Sequence, residues 1–335
     1  VPTPLTDYQP DLSYVENASK DIANNLQPKQ IVILESTTYP GTTLEVVKPI
    51  LESISGLEAG KDFMLGYSPE RIDPGNKTWN FKNTPKIVSG VNEDSTEAIS
   101  LFYKSIIDEV IEVSGTREAE MVKLLENTYR QVNIALVNEL AILCKMLDID
   151  IWEVVDAAKT KPFGFQSFRP GPGVGGHCIP IDPKYLSFKT RQIGHPVRFV
   201  ELAQEINNSM PHYVVSRITE IMNKNSKLMK SSKILLLGVA YKKDIGDTRE
   251  SPALDIIEEL LTKEVIISYY DPFVDSLNVD GSNIQKEDEI KNLENYDLIL
   301  IHTPHSTFNN IEFDKINTLI FDTTGSFSSI NIEKI

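Results

Sequence analysis

Short apolar runs alternate with longer polar stretches along the first third of the chain. Ile31–Glu35, Phe63–Tyr67, Lys86–Gly90 and Glu109–Val113 read as buried strands, and their separation by helix-compatible segments predicts a parallel α/β sheet. From Thr116 the period changes. Met121, Leu125, Tyr129, Val132, Leu136, Leu140, Leu143 and Leu147 recur at steps of three or four, which predicts one helix about nine turns long carrying a single apolar stripe. Asp150 followed by Glu153 resembles a capping box that opens the next helix, and a later helical run from Arg198 is expected to be interrupted at Pro211. The last third returns to strands at Lys233–Leu237, Val265–Tyr270, Asp297–His302 and Leu319–Asp322. These runs end in Gly238, Asp271, Thr303 and Asp322, turn or polar residues of the kind that border the ligand crevice of an open α/β sheet. The pattern therefore divides the chain into an α/β part (1–115), a helical part (116–225) and a second α/β part (226–335).

A chain of 335 residues has room for two or three domains, each with a buried core. Its formal charge of −15 repels nucleic acid and anionic lipid, so neither is an expected partner. Any phosphate-bearing ligand needs cations or backbone N–H groups gathered locally. The two cysteines, Cys144 in the helical run and Cys178 in a glycine-rich stretch, have no metal-ligand spacing, and His177, His195, His212, His302 and His305 form no ligand set. No metal site is expected. The longest apolar run, Ile234–Ala240, is far too short to span a bilayer, and the first residues lack the pattern of a signal peptide. A reduced, cytoplasmic setting is expected.

Residues 171–183, Gly-Pro-Gly-Val-Gly-Gly-His-Cys-Ile-Pro-Ile-Asp-Pro, contain a literal G-x-G-x-x-G at Gly171, Gly173 and Gly176. A dinucleotide fingerprint needs a strand entering the first glycine and a helix leaving the last. Here the upstream flank is aromatic and broken by Pro170, and Pro180 and Pro183 exclude a helix starting at Gly176. The glycines instead let the backbone approach a bulky ligand and aim Cys178 at it, with Asp182 as N-cap and Pro183 as first residue of the next helix. A thiol just before a helix N-terminus favours its thiolate. An inert cysteine in a packing loop is the other reading of these residues.

Two segments carry a resemblance: Arg169-Pro-Gly-Pro-Gly-Val-Gly-Gly-His-Cys-Ile-Pro-Ile-Asp-Pro, and Gly238-Val-Ala-Tyr-Lys-Lys-Asp-Ile-Gly-Asp-Thr-Arg-Glu-Ser-Pro-Ala. With Val1-Pro-Thr-Pro, Glu35-Ser-Thr-Thr, Tyr67-Ser-Pro-Glu-Arg and the Lys123/Asn127 pair in the same order, nearly the whole chain resembles the UDP-glucose/GDP-mannose dehydrogenase family. Lys161-Pro-Phe-Gly-Phe and the Cys178 loop are most similar to its UDP-N-acetylhexosamine 6-dehydrogenases, the UDP-N-acetylglucosamine type. The resemblance implies an α/β fold: an N-terminal Rossmann domain, a central helical domain with a long helix, and a C-terminal Rossmann-like domain for a UDP-sugar. It also implies NAD as cofactor and oxidation of a sugar C6 alcohol to a carboxylate in two hydride transfers, for polysaccharide precursor synthesis.

Residue roles follow by the same resemblance. Cys178 supplies the thiolate that captures the intermediate aldehyde, Lys123 and Asn127 stabilise the oxyanion at C6, Asp182 and Glu70 orient or activate water, and Thr37 places a hydroxyl beside the reacting centre. Arg169, Gly171, Gly173, Gly175, Tyr241 and Lys242 fall to the substrate, and Val1, Pro2, Thr3, Ser36, Thr37 and Arg249 to the cofactor. Read without the resemblance, Lys123 and Asn127 form a solvated helix face and the other groups are caps or turns. Arg249 is then a surface ion pair with Asp247 or Glu250.

Three departures stand out. The family begins with a Rossmann half bearing its own glycine motif, which precedes the stretch matching Val1–Pro4, so a chain truncated at its N-terminus by at least about 60 residues is expected. Pro74 stands where many relatives carry a second carboxylate, and Thr324 where they commonly place a basic residue on the substrate. A non-catalytic sugar-nucleotide-binding fragment is the alternative function. A two-domain hydroxyacid-type dehydrogenase is a third reading, disfavoured by the α/β part from Lys233 and by Cys178. The long stripe and the aromatic loop before Cys178 offer more apolar surface than one chain covers, so a homodimer is expected.

Overall fold

The computed structural model describes residues 1–335 apart from Asp7, Tyr8, Pro74, Gly75, His177, Cys178, Ser329 and Ile330. It divides into two compact units, Val1–Tyr129 with Ile181–Arg198, and Arg130–Pro180 with Phe199–Ile335.

The first unit opens with a short antiparallel pair, β1 (Leu5–Thr6) and β2 (Gln9–Pro10), and then α1 (Ser13–Ala23). There follow β3 (Ile31–Leu34), a π-helical turn at Thr43–Val47 running into α2 (Lys48–Ser55), β4 (Met64–Tyr67), β5 (Lys86–Gly90), α3 (Glu93–Lys104) and β6 (Val110–Glu112). The sheet order is β3-β4-β5-β6. All four expected strands form, but the sheet is not wholly parallel: β5 runs antiparallel to β4, with Gly66 opposite Gly90 and Tyr67 opposite Ser89. A parallel return needs a crossover element, usually a helix. The described residues between β4 and β5 contain no helix, and the chain simply turns back. Contact across this pair is so close that a Cβ at Gly66 would lie 2.0 Å from the Ser89 carbonyl oxygen. Val15, Val47, Leu51, Phe63 and Leu65 fill one core cluster, and Val88, Ile99, Tyr103 and Ile107 another.

The long helix, α4 (Thr116–Met146), is continuous for 31 residues, and the division between units falls within it. Its apolar stripe points outward: Leu125 is 60% exposed, Leu136 51% and Leu143 47%. The buried side is partly polar, holding Glu120, Lys123, Gln131 and Asn138 beside Leu124, Ala135 and Ala141.

In the second unit α5 (Ile151–Ala158) is capped by Asp150, whose carboxylate accepts from the Trp152 N–H at 2.8 Å and the Glu153 N–H at 3.4 Å, so the helix opens where the sequence pattern places it. In the first unit α6 (Asp182–Gln192) follows the glycine loop. The next helix, α7 (Arg198–Lys224), is not interrupted at Pro211. Proline removes one helical hydrogen bond, and burial of Met210, Pro211, Val214, Val215 and Ile218 outweighs that loss.

The second sheet comprises β7 (Lys233–Leu237), β8 (Ile266–Tyr270), β11 (Gln285–Lys286), β12 (Leu298–Ile301), β13 (Leu319–Asp322) and β14 (Ile332–Lys334); β9 (Asn278–Val279) and β10 (Ser282–Asn283) form a separate small pair. Its order, β11-β8-β7-β12-β13-β14, is parallel throughout. Counted along the sheet's own strands this is 3-2-1-4-5-6, the doubly wound nucleotide-binding order, with its switch point between β7 and β12. Ile234 and Leu236 pack on one side with Val214, Ile218 and residues of α8 (Pro252–Thr262), while Leu235 and Leu237 pack on the other with Ile299, Ile301 and Phe308. Both faces are covered, so β7 reads as an unbroken apolar run.

Candidate active site

In the first unit α4 and the start of α6 bring three of the expected residues together. Lys123 is only 9% exposed and Asp182 3%. The Asn127 amide donates to the Asp182 carboxylate. Burial pushes the Asp182 pKa up to about 7, against the opposing pull of the Lys123 charge and the Asn127 hydrogen bond. The solvated-face reading of Lys123 is therefore wrong. Asp182 is also not the N-cap: Ile181 holds that place, already with helical torsions, no side chain caps the helix, and the Asp182 carboxylate is engaged by Asn127 instead.

The cofactor candidates sit at the C-terminal end of β3. Ser36 Oγ donates to the Val1 carbonyl at 2.8 Å. The Tyr185 hydroxyl of α6 donates to the Pro4 carbonyl, 3.1 Å away, anchoring the segment that carries Pro2 and Thr3. Thr37 is half-buried, and the neighbouring Thr38 is fully buried with no partner for its hydroxyl among the described residues. Glu70 belongs to a different group. Its carboxylate accepts from the Ile72 N–H at 2.7 Å and lies 3.6 Å from the ammonium of Lys86.

In the second unit the glycine loop lies against the turn after β7. A Cβ at Gly175 would come within 2.7 Å of the Tyr241 Cβ, and one at Gly176 within 2.7 Å of its ring. The Gly176 N–H donates to the Arg249 carbonyl at 3.2 Å, and the Gly171 N–H to Asn138 Oδ1 at 2.9 Å. Gly238 takes a left-handed φ of 79°, and a Cβ there would stand 2.2 Å from the Thr303 carbonyl oxygen, so β7 must leave the switch point through glycine. Buried Asp271 fixes that turn by accepting from the N–H groups of Val239 (2.8 Å) and Ala240 (3.1 Å). Tyr241 and Lys242 follow, both half-buried. Arg169 reaches Asp156 at 2.6 Å and lies 5.6 Å from the centre of the Trp152 ring. Arg249 makes a two-point pair with Asp247, at 2.9 and 2.5 Å, which is the ion-pair alternative for this residue. Thr324 is bonded to Asp322. Cys178, His177 and Pro74 lie outside the described residues. No His, Cys, Asp or Glu group able to hold a metal occurs among the described residues.

Residues 1–107, 117–209 and 235–329 match, in turn, the NAD binding domain, the central domain and the UDP binding domain of the UDP-glucose/GDP-mannose dehydrogenase family. The chain is 37% identical to Protein CapL of Staphylococcus aureus over 98% of its own length and 79% of that protein's. It is also 37% identical to a UDP-N-acetyl-D-glucosamine 6-dehydrogenase of Pseudomonas aeruginosa, over 95% of this chain and 76% of that one. This chain belongs to the UDP-glucose/GDP-mannose dehydrogenase family. A solved UDP-D-ManNAc dehydrogenase from Pyrococcus horikoshii superposes with a TM-score of 0.90 at 32% identity, covering all of this chain and 79% of that one.

For a family member of this kind, the match to an NAD binding domain runs against the non-catalytic alternative, and the UDP binding domain runs against a simple hydroxyacid dehydrogenase. Three polar residues escaped the sequence reading: Lys86, Glu120 and Asn138. Glu120 is fully buried and accepts from the Gly41 N–H (2.5 Å) and from the Thr43 N–H (2.9 Å) and hydroxyl (2.7 Å); burial raises its pKa against the opposing pull of these hydrogen bonds. The signal was present. Glu120, Lys123, Asn127, Gln131 and Asn138 recur at helical steps on the side of α4 opposite its apolar stripe.

Proposed function

We propose that this dehydrogenase oxidises the C6 alcohol of a UDP-N-acetylhexosamine to the uronate with NAD as cofactor. The observation that carries the reading is the cluster of a buried lysine, an amide and a carboxylate with a pKa of about 7, in a chain with both NAD and UDP binding domains. Residues 1–115 would serve the cofactor, 116–225 the chemistry and subunit contact, and 226–335 the UDP-sugar.

Ser36 and Thr37, with the unpartnered Thr38 hydroxyl beside them, fit a polar ligand at the crevice end of a parallel strand. NAD, when bound, supplies the acceptor for the hydrides that leave C6. Val1, Pro2, Thr3 and Arg249 are assigned to the same ligand.

In the first oxidation the alcohol loses a proton and a hydride, and Lys123 and Asn127 stabilise the oxygen as negative charge develops. The Cys178 thiolate then adds to the aldehyde, forming a C–S bond as the C=O π pair moves onto oxygen, which takes a proton from water to give a thiohemiacetal. Loss of a second hydride and a proton leaves a thioester. Water, deprotonated by Asp182 or Glu70, attacks its carbonyl, and sulfur leaves with the C–S electron pair, regenerating the thiolate. An Asp ionising near pH 7 suits that proton transfer at neutral pH. Arg169, Gly171, Gly173, Gly175, Tyr241 and Lys242 are assigned to the UDP-sugar, where loop N–H groups and a lysine can meet a diphosphate.

No helix among the described residues is long and apolar enough to cross a membrane, and a cytoplasmic homodimer is proposed. The exposed stripe of α4 supports the dimer. The function is tested by measuring NADH formation and uronate yield with UDP-N-acetylglucosamine, UDP-N-acetylmannosamine and UDP-glucose. Two NADH per uronate, with an N-acetylated sugar preferred, is the expected result; no NADH from any of the three would reject it.

A further inference from the structure

The reversal of β5 has a chemical effect. Because β5 runs antiparallel to β4, its first residue, Lys86, lies beside the C-terminal ends of β3 and β4, the edge that carries Ser36, Thr37 and Glu70. The Lys86 side chain is 5% exposed, while those of Glu35 and Glu70 are 46% and 47% exposed, so the ammonium is the fixed point of the group. Its Nζ lies 2.9 Å from Glu35 Oε1 and 3.6 Å from Glu70 Oε2, and 5.2 Å from the centre of the Tyr103 ring. The Tyr103 hydroxyl donates to the same Glu35 oxygen at 2.6 Å. Burial would raise the Glu35 pKa, but the hydrogen bonds from Tyr103 and Lys86 hold it below its ordinary value, so Glu35 is an ionised anchor. Each oxygen of Glu70 thus has its own holder, Ile72 N–H on Oε1 and Lys86 on Oε2. Arg71 straps the same loop from the other side, to the Pro85 carbonyl at 2.6 Å and to Glu126 of α4 at 2.7 Å.

We propose that Lys86 is a positioning residue, a buried ammonium that clamps Glu35 and Glu70 together and so sets the water-activating carboxylate Glu70 relative to the Ser36–Thr37 segment. This rests on the dehydrogenase reading given above. A buried lysine needs an anionic partner wherever it sits, but a purely structural pair predicts lost stability without a selective kinetic effect.

The test compares Lys86→Met and Lys86→Arg in the full chain by steady-state kinetics, thermal melting and hydrogen exchange of the 68–73 segment. In Lys86→Met, kcat is expected to fall about a hundredfold, the cost of roughly 1 Å of misplacement, while KM for the UDP-sugar and for NAD changes by less than about twofold. Lys86→Arg should recover to within about tenfold of wild type because a guanidinium still reaches both carboxylates. Exchange at the Ile72 amide should accelerate in Lys86→Met and not in Lys86→Arg. If Lys86→Met does not fold, Lys86→Gln takes its place. Wild-type kcat in a folded Met or Gln variant overturns the proposal, as does a parallel rise in KM. If the wild-type chain itself oxidises no UDP-sugar, the dehydrogenase reading fails separately. Exchange then decides the clamp, and unchanged protection at Ile72 overturns it.

Discussion

The two faces of α4 invert the usual arrangement of an amphipathic helix. Its apolar stripe of Leu125, Leu136, Leu140 and Leu143 is exposed, whereas Glu120, Lys123, Gln131 and Asn138 on the other face are buried. Water-facing leucines at regular spacing mark a surface made for another surface. Several of the buried polar groups have identified partners, as Glu120 has with Gly41 and Thr43 and Asn138 with Gly171. Under the proposed function one face of the helix would serve assembly and the other chemistry, and the two respond to different measurements.

The largest expected effect lies outside the helix and calibrates it. Cys178→Ser should abolish uronate formation, because serine forms no readily hydrolysed thioester, while Cys144→Ser on α4 should be nearly silent, as expected of a half-buried free thiol. Product analysis decides between them, and wild-type uronate from the Cys178 variant would remove the covalent mechanism. On the buried face, Lys123→Ala should lower kcat by about a hundredfold or more, the usual cost of one oxyanion-stabilising donor, with the dimer intact by sedimentation.

On the exposed face, Leu136→Asp combined with Leu140→Asp should shift sedimentation at micromolar concentration from dimer to monomer while each chain stays folded by circular dichroism. A dimer that survives both charges would show that the stripe is not the interface. The smallest effect concerns Asp182 and pH. Its folded pKa, about 7, lies above its ordinary value of 3.8, so the folded protein binds the extra proton in that window. Its contribution to stability is fully present below pH 3.8 and is lost as pH rises to about 7. Asp182→Asn should flatten that part of the stability profile in denaturant titrations, and should also remove an acid limb near pH 7 from the kcat profile.

Much of the fold was legible in the sequence. The four strand runs of the first unit, the length of α4, the Asp150 cap and the four longer strands of the second sheet follow from apolar period and turn residues. Direction was not legible, because strand period is the same for either polarity. The antiparallel β5, and with it Lys86, therefore escaped notice. Strands β11 and β14 are too short for a period to register. Of the candidate site, the residue types were recognisable from motif order, but the burial of Lys123 and the raised pKa of Asp182 depend on packing among α4, α6 and the β-strands of the first unit. A lysine on a helix carries no local mark of which side will be covered. The same is true of Pro211, whose cost is offset only by a core assembled from distant residues.

The amide cluster inside the second unit has a further consequence. Asn138 of α4 donates to Asn207 of α7 at 3.0 Å, and Asn207 donates to the Gln131 carbonyl at 3.2 Å, all within a buried seam. Leucine against leucine would tolerate sliding one helix along the other. A slide of one turn, about 5.4 Å, would leave these amides buried and unpaired at about 1–3 kcal/mol for each group. The seam acts as a vernier that fixes the axial setting of the two helices, in the way a single buried asparagine fixes the alignment of a coiled coil. Since Asn138 also receives the first backbone N–H of the glycine loop, that same setting determines the height along α4 at which the loop carrying Cys178 begins.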